Sequence, residues 1–136
     1  MPTLYTPESA NRALPLVRRI VEDMVSAYAR WRDLAREYEL LAAGARPDRL
    51  DPRVDALQRE IDARAHEIAG YERELDELGI RVPAGAHDRG LVDFPAELGG
   101  RPIYLCWQLG EQDVAFWHEP EGGFAGRQPI APTAAA

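Results

Sequence analysis

Apolar residues recur every three or four positions along the first third of the chain, the period of an amphipathic helix. Thr6 can cap this helix and Pro7 suits its first turn, whereas Ser9 in place of glutamate leaves the predicted capping box incomplete. The first apolar row is Leu14, Val17, Val21, Met24, Tyr28, Trp31, Ala35, Tyr38 and Ala42. A second row widens the apolar face to about three positions in seven: Ala13, Ile20, Ala27, Leu34 and Leu41.

Pro15 interrupts this helical pattern, so the sequence predicts either a bend there or a separate short turn over residues 7–13. Gly44 is predicted to end the helix, and residues 44–53 to form a connection.

A second helix is predicted from about Asp51 to Leu78, with Gly79 as its end. Its apolar row is Val54, Leu57, Ile61, Ile68, Tyr71, Leu75 and Leu78. Arg64 takes an apolar position in this row, where it either reaches solvent from the edge or lies buried, fixing the register or binding an anion. His66 falls on the outer face and is expected to be solvated.

Two such helices joined by a short connection predict an antiparallel hairpin of coiled-coil character. The apolar face of the first helix is broader than the second helix can cover. The excess is therefore expected to meet either the C-terminal half of the chain or another copy of it, and a homodimer is predicted.

The apolar period shortens to two after Ile80, which indicates strands. Three are predicted, at about 90–94, 103–109 and 114–119, forming an antiparallel meander with a tight hairpin connection at 110–113. The predicted fold class is therefore α+β, a long antiparallel helical hairpin followed by a small three-stranded sheet that packs against it.

The tight connection sets a register between the last two strands. Trp107 then faces Phe116 and Leu105 faces His118, on the side turned toward the helices. Cys106 falls on the opposite face from His118.

One domain is predicted over residues 1–136. It comprises the helical hairpin over 6–79 and the β-meander with a glycine-rich loop over 80–127. The tail, 128–136, is predicted to be disordered.

A net charge of −7 argues against general nucleic-acid binding. No apolar run approaches the roughly 20 residues of a membrane span, and no export signal begins the chain. Cys106 is the single cysteine, so no intramolecular disulfide can form and a cytoplasmic location is predicted. No cofactor is predicted.

Several short motifs resemble one bacterial family, the domain of unknown function 2203. The resemblance rests on TPESANRALP (6–15), GLVDFP (90–95), LCW (105–107), LGE (109–111), WHE (117–119) and GFAGRQPI (123–130). It spans nearly the whole chain. It implies no reaction, substrate or cofactor, so the catalytic residues, if any, stay unknown.

Four side chains of metal-ligating type lie in the predicted sheet: Asp93, Cys106, His118 and Glu119. His118 and Glu119 are neighbours on a strand and point to opposite faces. We therefore predict no metal site, with His118, Asp93 and Glu119 as weak candidates. His118 is expected to be half-buried and to hydrogen-bond a carboxylate such as Asp93, and Cys106 to be a small core residue.

The glycine-rich stretch GGFAGR (122–127) offers backbone N–H groups and the guanidinium of Arg127 to a small anion. The competing interpretation is a structural loop that packs Phe124. Glu119, beside Trp117, could also serve in acid–base chemistry with His118 or Arg127 to assist.

Two functions from different classes follow. The first is a non-enzymatic interaction module that self-associates through the hairpin, with Arg127 bonded to Asp93 or Glu119. The alternative is a small-molecule, anion or metal site between sheet and hairpin. Its candidate residues are Asp93, Trp117, His118, Glu119 and Arg127.

Overall fold

A computed structural model describes residues 3–44 and 51–131. Two long helices, α1 (Pro7–Ala43) and α2 (Pro52–Glu77), precede an antiparallel sheet. The strands are β1 (Leu91–Leu98), β2 (Arg101–Gln108), β3 (Phe116–His118) and β4 (Gln128–Pro129), with a single 3₁₀ turn, Phe124–Gly126, before β4.

The first helix is continuous over 37 residues and runs through Pro15, so a separate turn over residues 7–13 is wrong. Its start is better capped than predicted. The Thr6 hydroxyl accepts a hydrogen bond from Ser9 N at 3.1 Å, and Thr6 N donates to Ser9 Oγ at 2.8 Å. A serine hydroxyl therefore completes the reciprocal box that glutamate usually closes. Gly44 ends the helix, as predicted.

The second helix is capped by Asp51, whose carboxylate accepts from Arg53 N at 2.9 Å. Its end also follows the prediction, with Gly79 in the left-handed region at φ 78°. Arg64 is half-exposed and pairs with Glu67 at 3.2 Å, which agrees with a side chain reaching solvent from the seam edge. Residues 45–50 of the predicted connection lie outside the described residues.

The two helices pack along their length as the predicted antiparallel hairpin. Leu41 near the end of α1 shares a groove with Leu57 near the start of α2. Trp31, nearer the start of α1, lines a pocket together with Ile68, nearer the end of α2, as an antiparallel arrangement requires.

The sheet has four antiparallel strands in the order β1-β2-β3-β4, one more than predicted. The first hairpin turns at Gly99-Gly100, both with positive φ, as a two-residue connection favours. The fourth strand corrects the predicted tail, because Gln128 pairs with Trp117 and Pro129 with Phe116. Residues 132–136 lie outside the described part of the chain.

The predicted register between β2 and β3 is wrong by one residue. Tyr104 pairs with His118, Leu105 with Trp117, and Cys106 with Phe116. The connection covers residues 109–115 and not a tight turn at 110–113, so β3 begins only at Phe116. Because side chains alternate along a strand, this shift moves every side chain of β3 to the other face.

One face of the sheet packs on the helices and forms the main core. Its buried members are Ala10, Leu14, Val17, Ile20, Val21, Met24, Leu75, Ile80, Val92, Phe94, Ala96, Ile103, Leu105, Trp107 and Val114. Gly90, at φ 67°, allows the close approach to α1, since a Cβ there would lie 2.9 Å from Val21 Cγ1. On the opposite, outer face, Ala86 and Phe124 cover Leu91 and Cys106.

Candidate functional site

Three side chains of chemical interest converge on the outer face of the sheet. Asp93 on β1 stands directly opposite Cys106 on β2, and His118 on β3 lies on the same face because of the corrected register. Asp93 and His118 are each 1% exposed and Cys106 is fully buried. With Arg81, which bridges to β1 at Asp93, they form what we call the outer-face cluster.

Hydrogen bonds tie this cluster together. Asp93 Oδ2 accepts from Arg81 Nε and Nη2 at 3.3 and 3.2 Å, and the guanidinium lies 4.0 Å above the Tyr104 ring. Asp93 Oδ1 lies 2.9 Å from His118 Nε2. The other ring nitrogen, Nδ1, lies 2.7 Å from the backbone oxygen of Glu119. The predicted bond between His118 and Asp93 is confirmed, although the histidine is fully buried and not half-buried.

Burial raises the pKa of the Cys106 thiol to about 12, and the Asp93 carboxylate adds to the shift while Arg127 opposes it. A thiol with such a pKa is protonated at neutral pH and is a poor nucleophile. This agrees with the expectation that Cys106 is a small core residue.

Arg127 binds a carboxylate that the sequence did not indicate. Its Nη2 donates to Glu111 Oε1 and Oε2 at 2.7 and 2.9 Å, and its guanidinium stacks on Phe116 and Phe124 at 4.0 and 4.6 Å. The predicted partners of Arg127, Asp93 and Glu119, are wrong, because Glu111 lies in the long 109–115 connection and not in a tight turn, and its carboxylate takes both bonds. The Glu111 carboxylate, 25% exposed, also accepts from Gln108 N at 2.7 Å.

The remaining candidates lie apart from the outer-face cluster. Glu119 pairs with the exposed Arg101 at 3.2 Å. Trp117 lies on the helix-facing side, where it lines a mostly apolar cavity of about 460 Å³ with Tyr5 and Ile130. Arg127 reaches the edge of the cluster, where it donates to the Cys106 backbone oxygen at 3.5 Å. Of the five candidate residues, only Asp93 and His118 contact each other through their side chains.

Sequence reasoning missed a second histidine, His87. It stacks on Tyr28 with ring centroids 5.8 Å apart, bonds to Glu72, and lines a pocket of about 260 Å³ with Trp31. His87 lies in the segment between the second helix and the sheet. Apolar residues do not recur at a regular period there, so the sequence does not predict which side chains are buried. The sequence therefore held no signal for it beyond the residue type.

The free end of the hairpin offers a different kind of surface. We call residues 28–43 of α1 and 52–66 of α2 the distal stem. Within these ranges, all of which the structure describes, the buried residues are Leu34 and Leu57. A groove of about 880 Å³ runs between the helices here, lined by Glu37, Leu40, Leu41, Arg53, Ala56, Leu57, Arg59, Glu60 and Ala63. Leu40 is 73% exposed.

A hairpin of long helices packed on a four-stranded antiparallel sheet defines an α+β protein. The chain belongs to the DUF2203 family, described as an uncharacterized conserved protein, whose family model matches residues 3–130. The family resemblance in its motifs is thereby confirmed. No curated protein and no solved structure matches the chain significantly. Across residues 3–44 and 51–131, no helix has the length and apolar character to cross a membrane.

Proposed function

We propose that the protein is a non-enzymatic interaction module that forms a homodimer through its distal stem. The observation that supports this most directly is the apolar groove of the stem, which lies beyond the sheet. The buried residues that α1 contributes to the main core end at Met24. The helix continues for 19 residues after Met24, to Ala43.

Two helices alone cannot bury the apolar faces that the distal stem carries. Six of its large apolar side chains stay half-exposed in the single chain: Tyr28, Trp31, Tyr38, Leu41, Val54 and Ile61. Packing a second hairpin against the first would form a four-helix bundle of coiled-coil type and bury the apolar faces of both helices in the distal stem. The occupant of the groove is therefore a second copy of the same stem.

The charges of the distal stem suit a second copy. Residues 28–43 carry three arginines and three acidic residues, and residues 52–66 also carry three of each, so both segments are neutral while the whole chain is at −7. Two stems therefore meet without net repulsion. The groove has Glu37 and Glu60 along its edges together with Arg53 and Arg59. A two-fold axis can place the acidic residues of one copy against the arginines of the other.

The state of the other candidate residues supports a module over an enzyme. Arg127 is held by Glu111 and two aromatic rings, and burial raises the pKa of the Cys106 thiol to about 12 when no metal ion is bound. Asp93 and His118 are bonded to each other, and both are buried. We further propose that the module acts in the bacterial cytoplasm, where a free thiol such as Cys106 stays reduced.

Sedimentation equilibrium of two matched variants tests the dimer. Leu40→Glu places a charge in the groove at a side chain that is 73% exposed in the single chain. It should raise the dimer dissociation constant about tenfold or more, or about 1.4 kcal/mol and above, and leave the circular dichroism spectrum unchanged. Leu16→Glu alters the same helix at a leucine that is 54% exposed and lies outside the groove, and should leave the constant unchanged. Equal effects of the two substitutions would contradict the proposed interface.

A further inference from the structure

We propose that Asp93, Cys106 and His118 form a binding site for a zinc ion within the sheet. One side chain comes from each of three neighbouring strands, and a carboxylate oxygen, the sulfur and a ring nitrogen all lie within 4.8 Å of one another. All three side chains are buried, with exposures of 0 or 1%. This site goes beyond the proposed dimer and does not depend on it, because a single chain supplies all three ligands.

The hydrogen bonds of His118 indicate that a proton or a metal ion lies between its ring and Asp93. The Glu119 carbonyl can only accept, so the ring nitrogen 2.7 Å away, Nδ1, carries a hydrogen. In a neutral imidazole this leaves a lone pair on Nε2, which faces Asp93 Oδ1 at 2.9 Å. A lone pair and a carboxylate oxygen repel each other unless a proton or a metal ion lies between them. Metal-bound histidines usually donate their second N–H to a backbone carbonyl or a carboxylate in the same way.

The sulfur of Cys106 favours the metal ion over the proton. A hydrogen bond between His118 and Asp93 needs no third group, whereas a cysteine beside them completes a ligand set of the kind zinc selects. A tetrahedral zinc ion, with bonds of about 2.0–2.3 Å, holds its ligand atoms about 3.3–3.7 Å apart. A zinc ion would therefore draw the most distant ligand atoms together by about 1.5 Å at most, from 4.8 Å, and would move His118 Nε2 and Asp93 Oδ1 apart by about 0.4 Å, from 2.9 Å.

Charge and orientation agree with this assignment. Binding of the ion releases the thiol proton of Cys106 to solvent, and the resulting thiolate and the Asp93 carboxylate together neutralise the divalent charge, while His118 binds as a neutral ligand. Arg81 holds the other oxygen of Asp93, Oδ2, and so turns Oδ1 toward His118. The three side chains supply three of the four ligands of a tetrahedral zinc ion. Glu119, one of the weak candidates from the sequence, takes no part because its carboxylate pairs with Arg101.

Cobalt provides a direct spectroscopic test because Cys106 is the only cysteine of the chain. Since the site is buried, the full-length protein is unfolded in guanidinium and refolded with excess Co²⁺ or with a chelator. We expect one Co²⁺ per chain and a near-ultraviolet thiolate-to-cobalt absorption band that Zn²⁺ abolishes by displacement. Refolding with Zn²⁺ should raise the melting temperature by about 5 °C or more over the chelator-treated protein.

Two variants locate the ion. Cys106→Ser should abolish the thiolate band, and His66→Asn, which alters an exposed histidine on α2, should leave it unchanged. If Cys106→Ser fails to fold, the refolding experiments on the wild-type protein still test the proposal. Wild-type protein that refolds with Co²⁺ without a thiolate band would contradict the site, as would equal melting temperatures with Zn²⁺ and with chelator.

Discussion

At the scale of the residue, arginine stabilises this protein through contacts of two very different kinds. Arg127 is 12% exposed, binds both carboxylate oxygens of Glu111 and lies between two aromatic rings. Arg101 is 61% exposed and binds Glu119 through one nitrogen. Desolvation strengthens the first pair, whereas water and salt screen the second.

We expect Arg127→Ala to lower the free energy of unfolding by about 2–4 kcal/mol, because it leaves the Glu111 carboxylate partly buried without its cation and removes the stacking on Phe116. Arg127→Lys should cost less than the alanine variant, since it keeps the charge and loses the planar contacts. Urea unfolding followed by circular dichroism measures both.

Arg101→Ala is the matched control, with an expected loss below about 1 kcal/mol. Similar losses of unfolding free energy in Arg101→Ala and Arg127→Ala would show that the buried pair stabilises the protein no more than the exposed pair does. An unchanged stability of Arg127→Ala, together with loss of a bound anion, would instead assign Arg127 to ligand recognition.

At the scale of the element, the sequence predicted helices far better than strands. Each helix repeats its apolar period over many turns, so one irregular position such as Pro15 or Arg64 does not obscure it. The strand β3 has three residues and β4 has two, which is too short for an alternation to be recognised. The apolar alternation also continues through Val114 into the connection, so the register predicted for β3 is wrong by one residue.

Asn11 holds that long connection in place, and nothing in the apolar pattern indicates it. Its side chain accepts from Val114 N at 2.8 Å and donates to Val114 O at 3.2 Å, as a neighbouring strand would. It also donates to Pro7 O at 2.9 Å. One amide on α1 thus satisfies both backbone groups of a residue in the 109–115 connection.

We expect Asn11→Ala to destabilise the fold by about 1–3 kcal/mol, because the backbone groups of the buried Val114 lose their partner. Amide hydrogen exchange should show the added opening at Val114 first, before the helices exchange. Arg12→Ala, at the exposed neighbouring position, should change stability by less than about 0.5 kcal/mol. Equal effects of the two variants would mean that the connection is held by its other contacts.

At the scale of the whole molecule, the apolar pattern predicted that a helical hairpin packs on an antiparallel sheet. The apolar face of α1 is too broad for α2 alone to bury. The sheet covers the first part of that face, from Ala10 to Met24. Which polar groups meet could not be predicted, since the partners of His118 and Arg127 depend on register and on one loop length. The sequence still identified the contact between His118 and Asp93, because a buried histidine needs a polar partner.

The central claim is that two copies of the chain pack together through the distal stem, which the sheet does not cover. The molar mass of the wild-type protein in solution tests this claim most directly. Light scattering across a dilution series should give twice the 15.2 kDa of one chain at high concentration and fall toward 15.2 kDa on dilution. The Leu40→Glu variant should reach the lower value at higher protein concentrations than the wild type. A wild-type mass of 15.2 kDa throughout the series would contradict the claim that two stems pack together.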